Sequence, residues 1–192
     1  MEMRIFLTGP AGIGKSRLIR EALGEKLAEA GGFVMSAETG PNGYAVGYVL
    51  RPAAAAGGVE GLDGRRFLDC RSWPPRRDNE VFRDFGARLL REAVYYPFAV
   101  LDEIGGYETL IPPFEEALVT LLQSDLPLVG ALKTPEETEQ WRQLFSLGER
   151  FTERVGQLRN MLWQDADTRV IDLRETTEDE ALAILRAWRE NI

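Results

Sequence analysis

Residues 9–16 read Gly-Pro-Ala-Gly-Ile-Gly-Lys-Ser and stand between a short apolar run, Arg4 to Thr8, and a segment in which Leu18, Ile19, Ala22, Leu23, Leu27 and Ala30 recur at helical spacing. Strand, glycine-rich turn and a helix over Lys15 to Ala30, closed by Gly31-Gly32, is the expected order. At its fixed positions the turn spells G-x-x-x-x-G-K-[ST]. Glycines there permit a backbone loop whose N–H groups point inward, and a helix N-terminus behind them adds partial positive charge. Such a turn cradles phosphate. Lysine is scarce, with three in the chain, and multiplying the frequencies of the fixed residues over all positions gives about 0.002 chance matches. Gly9, Pro10, Ala11, Gly12, Ile13, Gly14, Lys15, Ser16 and the adjoining Arg17 are therefore candidate nucleotide contacts. Lys15 is expected to reach the β- and γ-phosphates and Ser16 to ligate Mg²⁺. Arg17 more naturally points along the helix surface.

Composition narrows what chemistry can occur there. The 192 residues include 23 basic and 31 acidic side chains, no histidine and one cysteine. A formal charge of -8 argues against non-specific nucleic-acid binding, which needs a positive footprint. Without histidine the chain supplies neither a Ser-His-Asp nor a Cys-His pair, nor a histidine-ligated zinc site. Cys70 alone excludes an intrachain disulfide and fits a reducing compartment. No run approaches the ~20 apolar residues of a membrane span, and the first apolar stretch meets Gly9-Pro10 too soon for a signal-peptide core. A cytoplasmic chain without membrane partners is expected.

Further along, Phe33 to Ala37 and Tyr44 to Leu50 read as strands joined by Asn42-Gly43, an antiparallel pair. Pro52 to Pro75 is the least regular stretch. The arginines in and just after it, Arg65, Arg66, Arg71, Arg76 and Arg77 around Trp73, are read first as a solvated loop partly balanced by Asp63, Asp69 and Asp78, and second as a surface for an anionic ligand or partner. Helical spacing returns at Val81 to Ala93, and Phe98 to Leu101 is apolar on both faces, as in the middle of a parallel sheet. Phe114 to Leu122 reads as a helix, Leu128 to Leu132 and Val170 to Leu173 as strands, and Thr177 to Arg189 as a helix opened by a Thr177/Glu180 capping box. The polar segment 134–168 is expected to be a helical insertion. Together these predict one three-layer α/β domain over residues 1–192, with a mostly parallel central sheet, an antiparallel hairpin and a lid-like insertion.

The run Phe98 to Leu101 ends in Asp102-Glu103. A carboxylate at the end of a buried strand can hold a phosphate-bound ion through water, so Asp102 is the candidate Mg²⁺-side acid and Glu103 the candidate for polarising a water aligned with the γ-phosphate. On strand geometry alone Glu103 falls on the other side of the backbone from Asp102. A strand-end cap would also explain the pair.

In these residues the chain resembles the small P-loop nucleoside-triphosphatases first described from thermophiles, which include a vertebrate cancer-related type. The resemblance runs through Phe6-Leu7-Thr8-Gly9-Pro10 to Lys15-Ser16, Gly32-Phe33, Gly47-Tyr48, Leu101-Asp102-Glu103-Ile104-Gly105 with Glu108, and Phe114 with Ala117-Leu118. It covers about the first 130 residues. It implies a P-loop fold and slow, base-unselective, Mg²⁺-dependent hydrolysis of ATP, GTP or other triphosphates to diphosphates. It also implies Lys15 and Glu103 as catalytic residues, and Ser16 and Asp102 on the metal. Where many members carry a lysine after Asp-Glu-Ile-Gly, this chain has Gly106.

Phosphoryl transfer usually needs a further cation. Arg142, Arg150, Arg154 and Arg159 in the insertion are candidates, set against a solvated helix in which Glu149 and Glu153 offset them. Arginines in a lid also suit a small-molecule or nucleotide kinase, with Glu103 serving an acceptor. A third reading is a nucleotide-gated module that orders a surface for a protein partner. No Asn-Lys-x-Asp motif occurs, so weak base discrimination is expected.

Overall fold

The computed structural model describes residues 3–192. Its eight strands form one sheet: β1 (Arg4–Thr8), β2 (Ala30–Thr39), β3 (Ala45–Pro52), β4 (Arg65–Asp69), β5 (Arg76–Arg77), β6 (Phe98–Ile104), β7 (Leu128–Leu132) and β8 (Thr168–Asp172). The order across the sheet is β5-β4-β3-β2-β6-β7-β1-β8. β2, β6, β7, β1 and β8 run parallel, and β3, β4 and β5 extend the sheet antiparallel beyond β2. The expected mostly parallel α/β sheet with an antiparallel hairpin is the observed architecture.

Alternation along the strands divides the core in two. Ile5 and Leu7 of β1, Val100 of β6 and Val129 of β7 face one side, where α1 (Lys15–Leu23) and α7 (Glu178–Arg189) cover them with Leu18, Ile19, Leu185 and Trp188. Phe6, Leu101 and Leu128 face the other. There α3 (Ala87–Glu92), α4 (Pro112–Leu122) and α6 (Glu149–Gln164) close an aromatic cluster. Phe82 is its hub, edge-on to Phe67, Tyr107 and Phe114 at centroid distances of 5.0, 5.5 and 5.1 Å. No helix among the described residues is long and apolar enough to cross a membrane.

Several expected boundaries are corrected. α1 stops at Leu23 rather than running to Ala30, because Gly24 takes a φ of 55° that a continuing helix does not allow; a 3₁₀ stretch, Gly24–Glu29, follows. Gly31 and Gly32 do not end a helix but lie inside β2. The stretch after Pro52 is irregular over 57–64 and 70–75, as expected, but not throughout, since the short helix α2 (Ala53–Ala56) and β4 interrupt it. What the composition concealed there is one buried pair, Phe67-Leu68, which anchors β4 against β3 and the Phe82 cluster. The arginines of that region are balanced only in part by the expected acids: Arg71 bonds Asp69, whereas Arg66 bonds Glu38 of β2 at 2.5 Å and Arg77 lies over the Tyr107 and Phe145 rings. β8 begins at Thr168 and ends at Asp172, two residues earlier than expected at its start and one at its end.

The insertion is helical, in two pieces: α5 (Pro135–Leu144) and α6. α5 opens with a capping box, in which the Thr134 hydroxyl accepts from the Glu137 N–H and the Glu137 carboxylate accepts from the Thr134 N–H at 2.8 Å. Thr177 and Glu180 form the matching box on α7, as expected. Thr134→Ala is expected to lower the unfolding free energy by about 1 kcal/mol, the usual cost of losing a cap, read as a shift in the urea midpoint.

Candidate phosphate and metal site

The loop between β1 and α1 is built to leave amides free. Gly14, the residue before α1, has a φ of 105°, and no side chain caps the first turn. The helix's leading N–H groups therefore face the cleft without a protein acceptor of their own, which is the arrangement that binds an anion. Lys15 is buried, with its ammonium 2.6 Å from the Gly9 carbonyl and 3.3 Å from that of Pro10. It also lies 3.6 Å from Glu103 Oε1 and 3.5 Å from Glu137 Oε1. In this state the loop lysine rests on two carboxylates, an ion-pair arrangement that an incoming phosphate would have to replace.

Ser16 turns its hydroxyl onto Asp102 Oδ1 at the end of β6. The second Asp102 oxygen accepts from the Met35 N–H at 3.3 Å and lies 3.5 Å from Arg20. Burial pushes the Asp102 carboxyl above its ordinary range, and the Ser16 hydroxyl and Arg20 oppose that. A hydroxyl and a buried carboxylate make an all-oxygen donor pair, which fits a hard cation such as Mg²⁺ that keeps most of its water. Among the described residues no cluster of three or more His, Cys, Asp or Glu side chains offers a full protein cage. A bound ion would depend on substrate phosphate for further ligands.

Glu103 does not lie on the far side of the strand, as simple alternation required. Its φ is 68°, in the left-handed region that non-glycine residues seldom enter. The register of β6 against β7 slips there: Leu101 pairs with Gly130 but Ile104 pairs with Leu132, so β6 holds one extra residue. This bulge re-aims the side chain, and Asp102 and Glu103 line the same cleft. Burial works to raise the Glu103 carboxyl, but the ammonium groups of Lys133 and Lys15 outweigh it and hold the group below its ordinary range. Glu108, fully buried, accepts from the N–H groups of Gly105 at 2.9 Å and Gly106 at 2.7 Å and so fastens the turn after the bulge. Burial pushes its carboxyl up, against those backbone bonds.

The cleft, about 300 Å³, runs from Ala11 and Ser16 past both acids to a wall of Met35, Tyr48, Phe67 and Trp141. Three of its polar residues were not singled out in the sequence: Lys133, Glu137 and Gln140. Thr134-Pro135-Glu136-Glu137 carries a readable capping signal for Glu137. Lys133 had only its rarity and its position after the apolar run Leu128 to Leu132.

The structure brings Gly9 to Ser16, Asp102 and Glu103 together, but not the predicted arginines. Arg17 points along the surface to Glu178 at 2.6 Å and Glu21 at 3.2 Å. Arg142 pairs with Glu139 within α5, Arg154 with Glu115 of α4, and Arg150 is exposed at the start of α6. Arg159 donates to the Lys133 carbonyl at 2.8 Å and the Thr138 hydroxyl at 2.7 Å, bracing the cleft from behind. The reason is local charge. Each of Arg17, Arg142 and Arg154 finds a carboxylate on its own or a packed helix.

Comparison with known proteins identifies a family. Residues 4–165 match the family model described as NTPase. Proteins named nucleoside-triphosphatase THEP1 from Methanosarcina acetivorans and Methanosarcina barkeri are 31% and 32% identical over 139 residues, 68% of this chain and 75% and 76% of theirs. A cancer-related nucleoside-triphosphatase homolog from Mus musculus is 29% identical over 150 residues, 71% of this chain and 78% of its own. The crystal structure of THEP1 from the hyperthermophile Aquifex aeolicus superposes with a TM-score of 0.62 at 15% identity, covering 95% of this chain and 98% of that one, which shows a shared fold. With the loop, the two acids at the end of β6 and the family match spanning most of its length, the chain belongs to the NTPase family.

Proposed function

We propose that this chain hydrolyses nucleoside 5′-triphosphates to the diphosphate and inorganic phosphate, with Mg²⁺ as cofactor and little choice among bases. One observation carries the reading: at the end of β6 the Ser16 hydroxyl meets Asp102 while the left-handed backbone of Glu103 turns a second acid into the same cleft. The names of the archaeal and mouse relatives support it. Mg²⁺, when bound by Ser16 and through water by Asp102, would supply charge to the β- and γ-phosphate oxygens. Lys15 leaves Glu103 and Glu137 for those phosphates, and the free amides of α1 hold them from the other side. Glu103 takes a proton from a water whose oxygen bonds to the γ-phosphorus as the bond to the β–γ bridging oxygen breaks. The diphosphate leaves with that oxygen.

The aromatic wall formed by Tyr48, Phe67 and Trp141 favours one second reading, because hydrolysis needs room only for water. A kinase would place an acceptor hydroxyl there instead. Phosphate release from ATP, GTP, CTP and UTP by the purified chain, with Mg²⁺ or with EDTA, separates the two. Release without any acceptor, lost on chelation and differing less than ~10-fold among bases, is expected. Bound triphosphate that yields no phosphate until an alcohol or nucleotide is added would replace hydrolase with kinase.

A further inference from the structure

In phosphoryl transfer, charge spreads over the equatorial oxygens of the group in flight, and a protein cation beyond the loop lysine commonly meets it. The arginines of the insertion are committed elsewhere or exposed, as described above. Lys133, one residue past β7, is placed differently. Its side chain is 7% exposed and its ammonium lies 2.9 Å from Glu103 Oε2, while Lys15 approaches the other oxygen, Oε1. The two ammonium groups thus flank one carboxylate.

Three supports hold Lys133 there, against the rotamer freedom a lysine otherwise keeps. The indole of Trp141 lies 4.8 Å from its ammonium, ring face toward the charge. Arg159 fixes its carbonyl. Its stem occupies space that residue 106 leaves open: a Cβ on Gly106 would stand 3.4 Å from Lys133 Cε and 2.5 Å from Glu108 Oε2. A buried cation fixed in this way on the cleft wall has a cost in desolvation and order that a merely structural ion pair seldom repays.

We propose that Lys133 is the second protein cation on the transferred phosphoryl group, held ready by its contact with Glu103. The assignment rests on the hydrolase reading and on Glu103 as water activator. Lys133 forms no covalent bond and moves no proton; water still attacks phosphorus, Glu103 still takes the proton, and the bridging oxygen still leaves. Its charge is used when negative charge grows between Glu103 and Lys15.

The test compares Lys133→Met and Lys133→Arg with the wild type in three measurements: affinity for a fluorescent nucleoside diphosphate, capture of that diphosphate with aluminium fluoride and Mg²⁺ as a mimic of the planar phosphoryl group, and kcat with KM. Lys133→Met is expected to bind the diphosphate within ~3-fold of wild type, to lose aluminium-fluoride capture, and to lower kcat ~10²-fold or more with KM little changed. Lys133→Arg is expected to restore part of both. A structural role would instead weaken diphosphate binding and the melting temperature together, with no rescue by arginine, and would overturn the proposal. So would a Lys133→Met variant with wild-type capture and kcat. If Lys133→Met melts below the assay temperature, Lys133→Gln keeps a polar head in the same space and carries the same readouts. Glu103→Gln run in parallel separates the two levels: normal turnover in that variant removes the hydrolase assignment of Glu103, whereas normal turnover in Lys133→Met alone removes only the role of Lys133.

Discussion

Glu103→Gln is expected to lower triphosphate turnover at least ~10²-fold while the nucleotide still binds. Glutamine keeps the shape and the left-handed backbone but not the negative charge, so a water beside the γ-phosphate loses its proton acceptor. Binding is expected to survive because the proposed phosphate contacts come from elsewhere, namely the α1 amides, Lys15 and Ser16. Affinity should even rise somewhat, since Lys15 no longer has to leave a carboxylate 3.6 Å away. Lys15→Ala makes the contrast, because it removes a phosphate contact and should lose binding and turnover together. Single-turnover phosphate release and titration with a fluorescent triphosphate measure the two quantities separately. Turnover in Glu103→Gln within ~3-fold of wild type would end the water-activating assignment.

Gly32→Ala is expected to cost about 3–5 kcal/mol of unfolding free energy, the sum of backbone strain and overpacking. Gly32 sits in β2 at a φ of 80°, where alanine is strained, and its Cβ would stand 2.3 Å from the Val100 carbonyl oxygen of β6. That oxygen is backbone in the middle of the parallel sheet and has no room to retreat. β2 pairs with β6 from Ala30↔Phe98 to Phe33↔Leu101, immediately before Asp102, so the same change would disturb the strand that carries both acids. Urea denaturation with a two-state fit reads the loss. A shift below ~1 kcal/mol would mean that β2 and β6 can separate locally without penalty, against the close approach seen here.

Much of the site was legible because its parts are neighbours along the chain. The loop from Gly9 to Ser16 is a local motif, and so is the apolar run that delivers Asp102 to the end of a strand. The capping boxes at Thr134 and Thr177 each span only four residues of local sequence. The misreadings have the opposite character. Gly31-Gly32 looked like a helix stop because glycine marks both helix ends and close strand contacts, and only β6 decides between them. The stretch after Pro52 looked irregular because Phe67-Leu68 is too short a run to announce a strand without β3 beside it.

Sequence by itself determined a phosphate-loop motif on a mostly parallel α/β sheet and singled out Lys15, Ser16, Asp102 and Glu103 as candidates for the chemistry. Tertiary structure decided which way Glu103 points, that Lys133, just past the neighbouring strand β7, meets it at 2.9 Å, and that the insertion's arginines stay outside. The physical reason is register. A motif is set by dihedral angles within a few residues, whereas a cation one strand away reaches an acid only if the two strands pair in one alignment, and here a single extra residue in β6 sets that alignment.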